Sequence, residues 1–349
     1  MSTELWLGGA LVAAFVLYAL FGGADFGGGV WDLLASGPRK AEQRALIAKA
    51  LGPVWEVNHV WLIIGIVILF SAFPRAFAAL SVALHVPLTL LLLGIVFRGT
   101  AFTFRTYDAR GDAVQRRWGL VFSVASVLSP ALLGMCVGAV VSGDIRVQGL
   151  VVVSGFFSAW LSPFALAVGA LALCLFAFLA AVYLIAETRE SGLQEDFRKR
   201  ALGAGVAVFL AALGVLVLAR EGAPRVWEGL TGSPFALVLH AATAVAAVLA
   251  FGLLLARRFW LARVAAAAQV GLIVVGWAAS QYPYLVVPDL TLQGAAASVA
   301  TQRALLVALA VGAALIIPSL LFLLRVFQSA PDVPISPRPP GEGRGEGIG

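Results

Sequence analysis

Nine stretches of about 20 mostly apolar residues, each long enough to cross about 30 Å of hydrocarbon, constrain this chain more than any other feature. They run approximately over 5–24, 54–73, 77–97, 120–141, 164–185, 202–219, 234–255, 261–279 and 304–327. The stretches are continuously apolar. A membrane barrel would instead show segments of about 10 residues alternating apolar with polar. Only 12% of the 349 residues are charged, about half the share of a soluble domain, whose surface must be wet. The sequence therefore predicts an all-α polytopic integral membrane protein with nine transmembrane helices.

An odd number of spans puts the termini on opposite sides, and the basic residues set the direction. The segments 35–53, 105–117, 186–200, 256–263 and the C-terminal tail carry 18 Lys or Arg. The alternate set, with Arg75, Arg146, Arg220, Arg225 and Arg303, carries 5. The positive-inside bias then predicts an outside N-terminus and a cytoplasmic C-terminus in a bacterial cytoplasmic membrane. In this setting the net charge of +6 speaks to orientation, not to a nucleic-acid partner. The first window is expected to be retained, because Glu4 stands where a signal peptide has its basic region. Residues 1–328 are expected to form the transmembrane domain. Residues 329–349, rich in Pro and Gly, read as a disordered cytoplasmic tail.

Charge inside a span is costly, so the few such residues point to partners, cavities or ion paths. The first cluster is Phe21-Gly22-Gly23-Ala24-Asp25-Phe26-Gly27-Gly28-Gly29-Val30-Trp31-Asp32, in which five glycines in eight positions surround the Asp25 carboxylate. Small residues there allow helices to approach closely. It is not a nucleotide-binding loop, since no strand precedes it. Asp25 lies about 20 residues, roughly 30 Å, into a helix that begins outside, hence near the inner face. The second cluster, Gly52-Pro53-Val54-Trp55-Glu56-Val57-Asn58-His59-Val60-Trp61-Leu62, opens the second span. Pro53 suits a first helical position, and Glu56 and His59, three apart, share a helix face. Arg98 closes the third span. Asp25, Glu56, His59 and Arg98 are therefore expected at one level of the membrane. Such a group can pass protons, or it can be a static pair that locks three helices together.

Other polar residues carry less. His85 and His240 stand alone and read as packing residues, as do Cys136 and Cys174 within apolar runs. No Cys, Met and His combination suggests a metal site. Trp6, Trp31 and Trp160 are expected in the aromatic belts at helix ends.

The motifs Ala24-Asp25-Phe26-Gly27, the 52–63 segment GPVWEVNHVWLI, Phe97-Arg98 and Ser162-Pro163-Phe164 together resemble subunit II of the cytochrome bd ubiquinol oxidases. The likeness spans the chain up to its tail, and the 52–63 motif is its specific part. The resemblance implies two four-helix bundles plus one peripheral helix. It also implies a subunit that holds no haem and packs beside a haem-bearing subunit I. There, haem b558, haem b595 and haem d support quinol oxidation near the outer face and oxygen reduction to water. A structural quinone in this chain and a small single-helix accessory subunit also fall within the family's range, with membrane lipid around the complex. Glu56, following Trp55, matches the acid implicated in proton delivery from the cytoplasm, with Asn58 as motif support. Three positions depart from the family pattern. Gly22 stands where a further acid is often found, Glu56 replaces the commoner Asp, and His59 replaces Glu or Gln.

The leading functional expectation is an oxidase subunit contributing a cytoplasmic proton path through Glu56, Asp25, His59 and Arg98. The alternative is a proton- or ion-coupled secondary transporter. Transporters tend to break helices at mid-membrane in both halves, whereas these charges gather at the inner face of one half.

Overall fold

The computed structural model describes residues 2–51, 54–107, 112–149 and 151–329. Side chains of 51, 54–57, 105–107, 112, 113, 115, 116, 321 and 323–329 lie outside the description. The elements are α1 (Thr3–Leu33), α2 (Lys40–Leu51), α3 (Val54–Ala72), α4 (Pro74–Ala83), α5 (His85–Tyr107), α6 (Asp112–Ser142), β1 (Val147–Gln148), β2 (Val151–Val152), α7 (Pro163–Ala186), α8 (Ser191–Gly222), α9 (Pro224–Thr231), α10 (Pro234–Leu255), α11 (Phe259–Gln281), β3 (Tyr284–Val286), β4 (Leu290–Thr291), α12 (Leu292–Ala295) and α13 (Val299–Ser329).

Among the described residues, eight helices are long and apolar enough to cross a membrane, and the bent pair α3–α4 supplies a ninth candidate. One window needs correction. The apolar run 77–97 is not one helix: its first part belongs to α4, bent by 116° from α3, and α5 starts only at His85. Pro74 has no N–H for the α3 ladder, and its ring collides with the carbonyl four residues back. The chain therefore turns at Phe73, where φ is −131°. Hydropathy continues across the turn, so composition alone cannot register it.

Proline and serine act together where α7 and α10 begin. Both helices open with Ser-Pro-Phe-Ala-Leu. Ser162 accepts from the Ala165 N–H and Ser233 from the Ala236 N–H, which satisfies an otherwise orphaned donor in an apolar setting. Pro163 and Pro234 occupy the first turn, where a missing donor costs nothing.

The spans form two four-helix bundles, α1, α3, α5, α6 and α7, α8, α10, α11, joined where α1 meets α7 and α11 and where α6 meets α7. The α1 glycines set that junction. A methyl group at Gly27 would overlap the Phe176 carbonyl of α7, and one at Gly29 would overlap the Ser126 side chain of α6. At Gly23 it would lie 2.7 Å from Leu179 Cδ1. Lipid is as apolar as leucine, so such close backbone contact holds membrane helices together. Outward faces remain apolar: Leu237 is 74% exposed and Val248 71%.

One end of the bundles is basic. Arg39 pairs with Asp196, Arg263 with Glu187 and Arg257 with Glu195, linking the turns that precede α2, α8 and α11. The opposite end carries α4, α9, α12 and the two antiparallel hairpins β1–β2 and β3–β4. There Arg146 bonds Asp289 at 3.0 and 3.2 Å, and Arg75 reaches the carbonyls of Gly294 and Gly149. The chain divides into two units, Met1–Leu309 and Ala310–Gly349. In the first, Leu305, Leu306 and Leu309 of α13 pack on a core cluster that includes Leu7, Ile68, Phe73 and Trp160. In the second, the remainder of α13 exposes Val311, Leu315 and Phe322. Residues 330–349, read above as a tail, lie outside the described residues.

Candidate functional site

The glycine-lined stretch of α1 is helical throughout, so the helix runs on to Leu33 and Asp25 sits eight residues before its end. Asp25 is wholly buried. Arg98 of α5 grips it from the side. Its Nη1 donates to Asp25 Oδ2 at 2.7 Å, and its Nη2 donates to the Asp25 backbone carbonyl at 2.8 Å and to Oδ1. Asn58 of α3 completes the set, its Nδ2 donating to Oδ2 at 2.6 Å. The remaining guanidinium donor, Nε, meets Ser126 Oγ of α6 at 2.9 Å, and Ser126 donates in turn to the Phe122 carbonyl at 2.7 Å. All four helices of the first bundle thus supply one member each.

The guanidinium is also sandwiched. Its Cζ lies 4.9 Å from the ring centroids of both Phe26 and Phe122, so the faces of the ion meet aromatic π-clouds while its edges meet oxygen. Arg98 is 3% exposed, and each of its three guanidinium nitrogens donates a hydrogen bond. The planar fork suits this bidentate grip, which a lysine could not reproduce.

Of the residues singled out in the sequence, Asp25, Arg98 and Asn58 are brought into direct contact. His59 is half-buried on the adjacent position of α3. Trp55 and Glu56 fall in the first turn of α3, and their side chains lie outside the described residues.

Sequence reasoning missed Asp32, which is 1% exposed. It accepts from Ser123 Oγ at 3.1 Å and faces Arg44 Nε at 3.7 Å, with Arg44 also donating to its carbonyl. The available signal was its spacing, seven residues after Asp25 and so on the same helix face. Two belt expectations are corrected. Trp31 is buried and its Nε1 donates to the Ala177 carbonyl at 2.8 Å, while Trp160, also buried, donates to the Phe156 carbonyl. Each indole found a carbonyl inside the protein instead of the wet interface. Only Trp6, at 57% exposure, keeps the outward position expected of it. His85 and His240 each turn Nδ1 onto a carbonyl of their own segment, Val82 at 2.8 Å and Ala236 at 2.7 Å. Among the described residues no group of three His, Cys, Asp or Glu side chains could hold a metal ion.

Comparison with known proteins follows this geometry. A Bacillus subtilis (strain 168) protein provisionally named a cytochrome bd menaquinol oxidase subunit II is 24% identical over 340 residues, 94% of this chain and 96% of the relative. Subunit 2 of the Escherichia coli K12 cytochrome bd-I ubiquinol oxidase is 25% identical over 170 residues, 48% of this chain and 44% of that one. The fold matches a chain of the bd oxidase from Geobacillus thermodenitrificans with a TM-score of 0.80 at 24% identity, covering 94% of this chain and 99% of that one. The family model for cytochrome bd terminal oxidase subunit II matches residues 3–327, and the chain belongs to that family.

Proposed function

We propose that this protein is the haem-free subunit II of a bd-type quinol:oxygen oxidoreductase, supporting a haem-bearing subunit I and contributing a proton-uptake path from the cytoplasm. The family match over residues 3–327 carries this reading. Residues 1–328 act as the membrane domain, residues 329–349 as a cytoplasmic tail, with the N-terminus outside and the basic end facing the cytoplasm. The positive-inside bias of 18 basic residues against 5 supports that orientation.

Haem b558, haem b595 and haem d belong to the partner subunit in this reading. Supporting this reading, the chain's three histidines, His59, His85 and His240, stand on three different helices. The protein's part is to position, to exclude lipid and to move protons.

Within that part, Asp25 and Glu56 take different roles. Asp25 is held by Arg98 and Asn58 through both carboxylate oxygens. Carrying a proton would require this buried pair to open, at a cost of about 3–5 kcal/mol. Asp25 with Arg98 therefore anchors the bundle and fixes Asn58. Glu56, two residues before Asn58 on α3, is the carrier, with His59 three positions further along the helix.

The test is Glu56→Gln in the intact, affinity-tagged complex. Quinol-dependent oxygen uptake should fall by about ten-fold or more, with the b- and d-type bands of the reduced-minus-oxidised spectrum unchanged in amplitude. Unaltered uptake across the pH range would refute the relay. A tagged chain that purifies alone and colourless would refute the subunit reading.

A further inference from the structure

Three buried residues of α1 fall on one face at seven-residue intervals: Tyr18, Asp25 and Asp32, none more than 2% exposed. Two buried serines of α6, Ser126 and Ser123, face them, and a third, Ser129, lies against Gly94 of α5, one turn before Arg98. The two rows touch. Ser123 bonds Asp32, Ser126 packs against α1 where Gly29 has no side chain, and Ser126 is joined to Asp25 through Arg98. A polar seam therefore runs between α1 and α6 through the first bundle. At the basic end it reaches the surface, because the Arg44 side chain beside Asp32 is 38% exposed.

The seam is under-supplied with partners toward its inner end. Tyr18 Oη, Ser129 Oγ, Asn58 Oδ1 and Trp61 Nε1 are buried, and none has a hydrogen-bond partner among the described residues. Pro130 adds a fifth vacancy, since it cannot donate to the Ser126 carbonyl four residues earlier. The Tyr18 ring lies over Gly22, its Cζ 3.7 Å from where a Cβ would stand. The hydroxyl is thereby carried back to within roughly one turn, about 5 Å, of Asp25 along the helix. Asn58 touches Asp25, and Trp61 follows Asn58 by one turn. Unpaired, each of these groups costs about 1–3 kcal/mol. Their mixture of donors (indole N–H, two hydroxyls) and acceptors (amide and main-chain carbonyl, two hydroxyls) is what buried water needs, at two to four polar partners per molecule.

We propose that this seam is a hydrated proton route, with Asp32 as its entry carboxylate at the basic end and ordered water bridging Asp25–Arg98 to Tyr18 and Ser129. The proposal rests on the oxidase reading above but adds a second entrance, independent of Glu56. Asp32 takes a proton from the aqueous side of Arg44 and hands it to the first seam water. Each water accepts one proton and releases one, the last passing it on toward the oxygen-reducing partner subunit that consumes it, so no group along the row changes charge over a cycle. Asp25 stays paired to Arg98 throughout and holds the water in register; it is a positioning residue.

The experiment uses the whole complex with Asp32→Asn, Asp32→Glu, Tyr18→Phe and Glu56→Gln, reading oxygen uptake in H2O and D2O against haem content. Asp32→Asn and Tyr18→Phe should each lower turnover several-fold and raise the solvent isotope effect, with haem content unchanged and with Asp32→Glu restoring most of the rate. A structural role would lower yield without moving the isotope effect. If Asp32→Asn misassembles, Tyr18→Phe, which removes one oxygen and no packing volume, decides alone. Slow Asp32→Asn beside normal Glu56→Gln would keep the seam and remove Glu56 from the path. Normal turnover and isotope effect in Tyr18→Phe, or in an assembled Asp32→Asn, would overturn the proposal.

Discussion

Replacing Arg98 by Met leaves the Asp25 carboxylate, wholly buried, with Asn58 as its remaining side-chain donor. Three donations from Arg98 disappear, two to the carboxylate and one to the Asp25 carbonyl. So does the contact with two aromatic faces at 4.9 Å. Charge-assisted bonds are worth about 1.5–3 kcal/mol each, and a desolvated cation–π contact about 2. Against them stands the cost of taking two ions out of water, several kcal/mol per ion. The intact pair is therefore close to neutral for stability. Breaking it is not, because one ion keeps its desolvation cost and loses its partner, which costs about 3–5 kcal/mol. The assay is SDS-induced unfolding of the purified complex, followed by loss of haem absorbance, for wild type, Arg98→Met, Asp25→Asn and the double variant. The double variant should fall short of the summed singles by about 2–3 kcal/mol, the range found for residues in direct contact. A cost below about 1 kcal/mol for Arg98→Met, or plain additivity, would show that the pair is solvated and would remove the argument separating Asp25 from Glu56.

Two further outcomes follow from other parts of the molecule. Gly27→Ala forces a methyl group onto the Phe176 carbonyl; backbone cannot yield as a side-chain tip can, so the cost should be about 1–3 kcal/mol in the same SDS titration, whereas Gly9→Ala, which meets nothing within 4 Å, should be silent. At the opposite end, burial raises the pKa of Asp289, but the Arg146 hydrogen bond, the Val147 N–H and the Arg146 charge outweigh it and hold the group below its ordinary value of 3.8. A carboxylate depressed on folding contributes stability above its unfolded pKa and loses it as pH falls through the folded value. Asp289→Asn should therefore lower the melting temperature of the complex at neutral pH, with the gap to wild type narrowing as pH falls below about 4; a gap that stays constant from neutral pH through the acid range would contradict the assignment.

Much of this was legible in the sequence, for a physical reason. Continuous apolar runs have few stable fates in lipid, so the spans and the two-bundle class followed from hydropathy and family likeness. Asp25 and Arg98 could be placed at one level because antiparallel helices convert residue counts into depth. Three things escaped. The bend at Phe73 is a directional event, and hydropathy carries no direction. Trp31 and Trp160 were read by residue type as belt residues, but an indole N–H is equally satisfied by a buried carbonyl. Asp32, at the end of the glycine cluster, was given no role, and an acid at a helix end resembles a solvated terminus. Its identity as a seam residue depends on the helix continuing through five glycines, which weak helix propensity argues against and tertiary contact with Phe176 and Ser126 enforces.

That last point bears on why the first bundle contains charge at all. An apolar set at the positions of Asp25, Arg98 and Asn58 would pack without desolvation cost, and buried ion pairs replaced in this way are often no less stable. Stability therefore does not account for the cluster; it does join α3 and α5 to α1, where Gly23, Gly27 and Gly29 contact α6 and α7 instead. What an apolar set could not do is hold water. The pair presents a fixed dipole in the middle of a lipid-solvated bundle. Along α1 it is followed by Asp32, bonded to Ser123, and preceded by Tyr18, whose hydroxyl has no partner among the described residues. A substitution that makes the site apolar and well packed should accordingly assemble with its haem-bearing partner and fail in turnover. Loss of assembly with normal specific activity in the remainder would instead mark the cluster as scaffold.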